Sequence, residues 1–285
     1  MPIERDILNI VNSLREDGII DNNTQIYKKM SGTTEGYVYL LSVNNVPQYV
    51  LKIDDELSIS WASQIHQIYA RSALLSKLIY TDPTNTFLVY SFISGITHFN
   101  RGSKIKWMTH IVKDLLNHYQ ISHLTEGWGR LGHLRDSWRE FNERGVEGAR
   151  SNLGSILPLE DYQMVKSLIE EISGVQEKYL LHGDTGVHNF VFNHNELVGV
   201  IDPSPMVGPI SYDFTYAFCS SPDDLNLETL LATYKFLHHD PLEESRLIKE
   251  VIFQLYCRIG ICVRVHPHDL EEYLEAWKYW RLLLT

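Results

Sequence analysis

The stretch Leu181-His182-Gly183-Asp184-Thr185-Gly186-Val187-His188-Asn189-Phe190-Val191-Phe192, with Val198 to Pro203 after it, constrains this chain more than any other. Phe190, Val191 and Phe192 are β-forming, Asn193-His194-Asn195 is a turn signal, and Leu197 to Ile201 is apolar again, so the segment reads as a β-hairpin. A hairpin brings its outer ends together. Asp184 and Asn189 stand just before the first strand and Asp202 at the end of the second, so folding gathers them. Asp202 with the amide oxygen of Asn189 is a hard-oxygen pair suited to Mg²⁺, which takes one or two carboxylates and completes its shell with water and phosphate oxygens. Asp184 is left as a third acid, placed to accept a hydroxyl proton or to orient a hydroxyl nucleophile.

His182-x-Asp184 followed by Asn189, and then Ile201-Asp202, resembles the catalytic loop and metal-binding segment of the aminoglycoside phosphotransferase family, within the protein-kinase-like superfamily. Leu181-His182-Gly183-Asp184 is the wording that family uses. Further on, Gly208-Pro209 with Asp213-Phe214 resembles the family's segment after the metal aspartate, whose own Asp helps brace the catalytic loop. The resemblance implies an α+β, bilobal protein-kinase-like fold: a small β-rich nucleotide-binding lobe over residues 1–95, and a larger, mainly helical catalytic and substrate-binding lobe over 96–285. It also implies transfer of the γ-phosphoryl group of ATP or GTP to a hydroxyl of a small acceptor. Asp184 is then the catalytic carboxylate, Asn189 and Asp202 hold Mg²⁺, and His182 braces the loop. His188, inside the loop, either approaches phosphate or faces solvent.

Ahead of the hairpin, Ile7, Leu8, Ile10, Val11 and Leu14 recur at helical spacing and predict a packing helix. Gln25 to Met30, a loop containing Gly32, Thr33, Thr34 and Gly36, and Tyr37 to Leu41 read as strand, turn, strand. In the resemblance this turn covers the nucleotide phosphates, with Gly32, Thr33 and Thr34 offering backbone N–H groups. Asn44-Asn45 signals a tight turn and Gln48 to Ile53 a third strand. Lys52 interrupts its apolar run; the resemblance makes it the lysine on the α- and β-phosphates, and the plain alternative is an edge-strand lysine that blunts aggregation. The next helix, read as Ser60 to Leu78, departs from the family. It should carry a glutamate for Lys52, yet no Asp or Glu occurs between Leu57 and Thr81. A hydrogen bond from Gln64, His66 or Gln67, a nearby acid such as Glu56, or reduced activity are the three ways to accommodate this. Phe87 to Gly95 reads as a strand and hinge, with adenine bonding main-chain groups at Ser91 and Ile93. Tyr90, bulky and just before the hinge, keeps GTP beside ATP as donor.

Ile105 to Tyr119, Leu131 to Arg144 and Leu159 to Ile172 read as helices. The stretch holding Trp128, Arg130, Arg135, Asp136, Trp138, Arg139 and Glu140 reads as a solvated amphipathic helix with aromatics facing the core, with lining of an acceptor pocket as the alternative. Leu225 to Thr285 has helical spacing throughout and many acids. Formal charge is −11 (25 Lys and Arg, 36 Asp and Glu), which argues against binding nucleic acid or an anionic membrane. It leaves room for a cationic acceptor such as an aminoglycoside and equally fits an ordinary acidic surface, with choline, homoserine, a sugar or a macrolide as the alternative acceptors the resemblance implies. Cys219, Cys257 and Cys262 cannot all pair and show no metal spacing, so they read as buried thiols of a reducing compartment. With no secretory pattern at the N-terminus and no apolar run of about 20 residues, the expected location is the cytoplasm. Two other classes are open. One is a kinase-like protein that binds nucleotide without efficient transfer. The other is an iron oxygenase built on His182, Asp184 and His266 or His268, disfavoured because everything after Pro203 is helical.

Overall fold

The computed structural model of the chain describes residues 2–30, 36–239 and 241–284. In order, the elements are α1 (Pro2–Glu16), β1 (Thr24–Lys29), β2 (Tyr37–Val43), β3 (Val46–Ile53), α2 (Glu56–Ile68), β4 (Leu78–Thr81), β5 (Phe87–Ser91) and β6 (Ile96–Thr97). Then come α3 (Lys104–Asp114), β7 (Gly129–Arg130), α4 (Trp138–Leu153), α5 (Leu159–Ile172), β8 (Tyr179–Leu181), β9 (Phe190–Asn193), β10 (Glu196–Val200) and β11 (Met206–Gly208). Helices α6 (Ile210–Cys219), α7 (Leu227–Tyr234), α8 (Glu244–Val265) and α9 (Leu270–Arg281) complete the chain. The result is the expected α+β, bilobal arrangement: strands dominate the N-terminal part and helices the C-terminal part.

The N-terminal sheet has the order β1-β2-β3-β5-β4. Its tight turn at Asn44-Asn45 has both residues in the left-handed region (φ 51° and 63°), the conformation a two-residue hairpin loop of matching twist requires and one that Asn tolerates. Strand alternation sends Leu51 and Val89 to one face, where Ile7, Val11 and Leu14 of α1 cover them. Leu88 goes to the other face, against Ile59 and Ala62 of α2. Lys52 pairs with Leu88 across β3 and β5, so it leaves the sheet on the α2 side. Because β3 lies between β2 and β5, Lys52 sits on an interior strand, and the edge-strand reading fails.

Three expected helices have other bounds, among them α3, which ends at Asp114 and not at Tyr119. Helix α2 begins earlier and ends at Ile68, not Leu78. Asp55 caps its start, accepting from the Leu57 and Ser58 N–H groups at 3.0 and 3.1 Å. After it the chain turns, and Leu78 belongs to β4, drawn into the sheet by pairing with Tyr90. Helix α4 starts at Trp138, with Ser137 as N-cap; the preceding Gly129 and Arg130 form β7, paired with Val207 and Met206 of β11. The sequence pattern could not show that partner, which lies far along the chain.

The larger core is helical. Trp107, Ile111, Val146, Phe214, Phe218, Ile252, Tyr256 and Trp280 are among the residues buried in it. Phe190, Phe192 and Val200 anchor the β9–β10 hairpin in the same core, which gives the polar residues at its ends a rigid base. All three cysteines are free; Cys219 and Cys262 are buried. Among the described residues no helix is long and apolar enough to cross a membrane.

Candidate active site

The hairpin turns at His194 and Asn195, both with positive φ (49° and 62°), and pairs Val200 with Phe190. The Ile201 N–H donates to the Asn189 carbonyl at 2.9 Å, so the two ends meet as the sequence implies. Asp202 follows at once, in the left-handed region at φ 55°. A non-glycine residue held there is uncommon, and the surrounding structure must over-determine it.

Beside it the 182–189 loop is braced from several sides. His182 is buried; its Nδ1 accepts from the Asp184 N–H at 3.3 Å and its Nε2 faces the Ile201 carbonyl at 3.1 Å. Burial pushes its pKa down to about 4, so the ring is neutral and holds the two halves of the site together. Gly183 has φ +78°, and a Cβ there would stand 2.1 Å from the Ser204 carbonyl oxygen. Its N–H donates to the Asp213 carboxylate at 3.1 Å, and the Tyr119 hydroxyl donates to the same carboxylate at 2.6 Å. Burial raises Asp213 to about 6 despite those bonds. Asp213 therefore occupies the bracing position the resemblance implied, whereas Tyr119 gave no signal in the sequence.

Asp184 is partly buried. Burial would raise its pKa, yet the bond to His188, the His188 and His182 charges and the Tyr216 hydroxyl outweigh that and lower it to about 2. One oxygen faces His188 Nε2 at 3.2 Å and Asn189 Nδ2 at 3.0 Å. The Asn189 amide nitrogen also donates to the Asp184 carbonyl at 3.0 Å, which leaves the amide oxygen turned away from Asp184. His188 thus pairs with Asp184, a third arrangement beside facing phosphate or solvent. The pair of Asp202 carboxylate and Asn189 amide oxygen is a hard donor set that fits Mg²⁺ with a shell completed by other oxygens. No cluster of three or more His, Cys, Asp or Glu side chains suited to a metal occurs among the described residues.

Lys52 reaches across from the sheet: its Nζ lies 3.0 Å from Asp202 Oδ1. That contact answers the question of the missing glutamate. Of the polar residues weighed on α2, His66 is engaged with the Ser76 carbonyl and Gln67 with Ser63; the lysine's ion-pair partner is Asp202, and neither Gln64 nor Glu56 bonds to it among the described residues. Lys52, Asp184 and Asp202 line one cleft of about 350 Å³.

At the hinge, the Ser91 N–H is committed to the Lys77 carbonyl at 2.9 Å and the Phe92 N–H to the Gln48 carbonyl at 2.8 Å. Of the main-chain groups expected to meet adenine, the Ser91 N–H is therefore already used. The Ile93 N–H has no partner among the described residues, and the Ile93 side chain packs on Gly199, where a Cβ would come within 2.5 Å of it. Tyr90 stacks on His66 with centroids 5.3 Å apart. Gly32, Thr33 and Thr34 lie outside the described residues.

No protein-family model matches the chain, and no curated protein matches it by sequence. Solved structures do. A thermostable mutant of aminoglycoside phosphotransferase APH(4)-Ia, in ternary complex with ADP and hygromycin B, superposes with a TM-score of 0.57 at 14% identity, over 95% of this chain and 98% of that one. The APH(2")-IIa complex with gentamicin gives 0.54 at 18% identity, over 97% and 95%. The macrolide 2'-phosphotransferase MphH from Brachybacterium faecium gives 0.57 at 10% identity, over 95% and 98%. Likeness over nearly the whole of each chain, at such low identity, is likeness of fold: this chain has the bilobal protein-kinase-like fold shared by these phosphotransferases.

Proposed function

We propose that the protein is a small-molecule kinase that moves the γ-phosphoryl group of ATP or GTP to a hydroxyl. The observation that carries the reading is the convergence, in one cleft, of a cation from the middle of the N-terminal sheet with two carboxylates from the hairpin. Phosphoryl transfer needs little covalent help and depends on positioning and on neutralising charge. Residues 1–95 hold the nucleotide, with the Ile93 N–H at the base and Lys52 on the non-transferred phosphates. Residues 96–285 carry the reacting groups and the acceptor. Asp202 and Asn189 would hold Mg²⁺, which when bound shields phosphate charge. Lys52 must leave Asp202 for that to happen, and both side chains retain access to the cleft. Asp184, ionised throughout the neutral range, orients the acceptor hydroxyl and takes its proton as the bond to phosphorus forms. The resemblance in fold to proteins crystallised with ADP and with hygromycin B supports a nucleotide donor and a small acceptor.

The test is Mg²⁺-dependent release of nucleoside diphosphate. Asp184→Ala is expected to lower kcat by ~10²–10⁴, the range for loss of a general base, while nucleotide binding persists. Unchanged turnover in that variant would remove Asp184 from the reaction. A second reading, nucleotide binding without efficient transfer, is favoured by one observation: the only acid of α2 is Glu56 in its first turn, which forms no ion pair with Lys52 among the described residues, so that helix does not hold the lysine in place once Asp202 is released. Binding without any turnover, across acceptors of every charge type, would decide for it.

A further inference from the structure

The cleft extends past Lys52, Asp184 and Asp202, and its far wall is built from residues that the phosphoryl-transfer reading leaves without a task. Ser58 and Trp61 come from α2, Arg130 and His133 from the segment that begins with β7, and Ser204 from the turn after Asp202. Arg130 is held there by its backbone. It pairs with Met206 across β7 and β11, and the neighbouring Leu131 N–H donates to the Pro205 carbonyl at 3.1 Å. Its guanidinium donates to Ser204 Oγ and makes no ion pair among the described residues. Burial works against the charge, but the surrounding Tyr212, Asp184, Tyr216 and Asp213 side chains sustain it.

A half-buried guanidinium has a fork of donors whose geometry matches carboxylate and phosphate oxygens. Three carboxylates line the cleft, and each already accepts from a neighbour. Asp184 faces His188 and Asn189, Asp202 faces Lys52, and Asp54 accepts from the Asp55 N–H; the rest of the wall contains no carboxylate. A cationic group placed beside Arg130 would meet like charge, and like-charge contact rejects a partner. The net charge of −11 describes the whole surface and not the part of the wall around Arg130, where Trp61, Gly132, His133 and Ser204 bring no carboxylate.

We propose, building on the kinase reading above, that the acceptor is an alcohol which also carries an anionic group, a carboxylate or a phosphate, gripped by Arg130, with Trp61 against its carbon skeleton. In the reaction the acceptor oxygen bonds to the γ-phosphorus and the bond from that phosphorus to the β–γ bridging oxygen breaks. The nucleoside diphosphate leaves with the electron pair, and the hydroxyl proton passes to Asp184 and on to water.

The experiment measures diphosphate release by the full chain with Mg²⁺ and ATP or GTP. Its acceptor arms are hydroxycarboxylic acids of graded size, sugar phosphates, neutral polyols, and the cationic alcohols kanamycin and choline. Stimulation is expected in an anionic arm alone, and which of the two responds identifies the group as carboxylate or phosphate. With that acceptor, Arg130→Met is expected to raise KM by ~30-fold or more, as for truncation of one partner of a buried charge pair, with a smaller fall in kcat. Arg130→Lys, which keeps the charge but not the fork, recovers part of the loss; melting curves and nucleotide titrations confirm that both variants are folded. Stimulation by kanamycin, choline or a neutral polyol overturns the inference. So do silent anionic arms in a protein that binds and hydrolyses nucleotide. A fall in kcat at unchanged KM also overturns it, and moves Arg130 to the transferring phosphoryl group. A protein that neither binds nor hydrolyses nucleotide overturns the kinase reading, and the acceptor inference with it.

Discussion

Gly183 shows how little freedom a single residue of the site has. Its φ of +78° and the 2.1 Å separation between a would-be Cβ and the Ser204 oxygen exclude any side chain while the loop keeps its bond to Asp213. Gly183→Ala is expected to cost ~1–3 kcal/mol for overpacking, with ~1–2 more for the left-handed backbone, seen as a lower urea midpoint and as lost turnover. Full stability in that variant would mean that the 204–205 turn moves aside freely. The buried histidines set the response to acid. Burial lowers His66 and His182 from the usual 6.5 to about 4. Between those values the unfolded chain binds protons that the native chain refuses, so stability falls as pH drops from 6.5 to about 4. Asp213 opposes this, since burial raises it from 3.8 to about 6 and the native state keeps a proton over that window which the unfolded state has lost. Two histidines against one carboxyl leave a net loss towards acid, with Asp184 adding its own only below 3.8. Melting temperature is expected to decline from pH 6.5 to 4, less steeply in His66→Asn. A flat profile would contradict the buried, neutral assignment of both rings.

Among the elements, the β9–β10 hairpin was legible because its logic is local: β-forming residues, an Asn-rich turn and polar ends all fall within one short stretch. Helix α5 was legible for the same reason, and its span of Leu159–Ile172 is the one the periodicity gives. Helix α2 was misread at its end because Leu78 continues a plausible apolar pattern, and only the sheet, through Tyr90, draws it into β4. Arg130 and Tyr119 show the same limit at the site. Their partners, Ser204 and Asp213, lie 74 and 94 residues away, beyond what spacing can reveal. A helix contact that periodicity also hides is α4 on α8, where a Cβ on Gly260 would lie 2.7 Å from the Ala149 Cα. Gly260→Val is expected to force the two helices apart and lower stability by ~1–3 kcal/mol, with KM for nucleotide unchanged because the contact is remote from the cleft. A variant as stable as the parent would show that α8 slides to accommodate the larger residue.

At the scale of the whole molecule, the N-terminal sheet and the hairpin meet through Lys52 and Asp202. Their side chains are 14% and 49% exposed, so water screens the pair and its contribution to stability is at most ~1 kcal/mol. Lys52→Met should then move the melting temperature of the nucleotide-free protein by only about 2–4 °C. The nucleotide-bound state is a different matter. A ligand that binds only the folded chain stabilises it by RT ln(1 + [L]/Kd), ~2.7 kcal/mol at a hundredfold excess over Kd, and that gain shrinks directly with any loss of affinity. If Lys52 holds the phosphates, Mg²⁺-nucleotide raises the melting temperature of the parent and hardly that of Lys52→Met. If Lys52 serves only to join the two parts, the variant is destabilised without nucleotide and keeps its full nucleotide shift. A thermal melt of both proteins with and without Mg²⁺-nucleotide separates these outcomes without requiring the acceptor, because the reading depends on the donor side of the cleft alone.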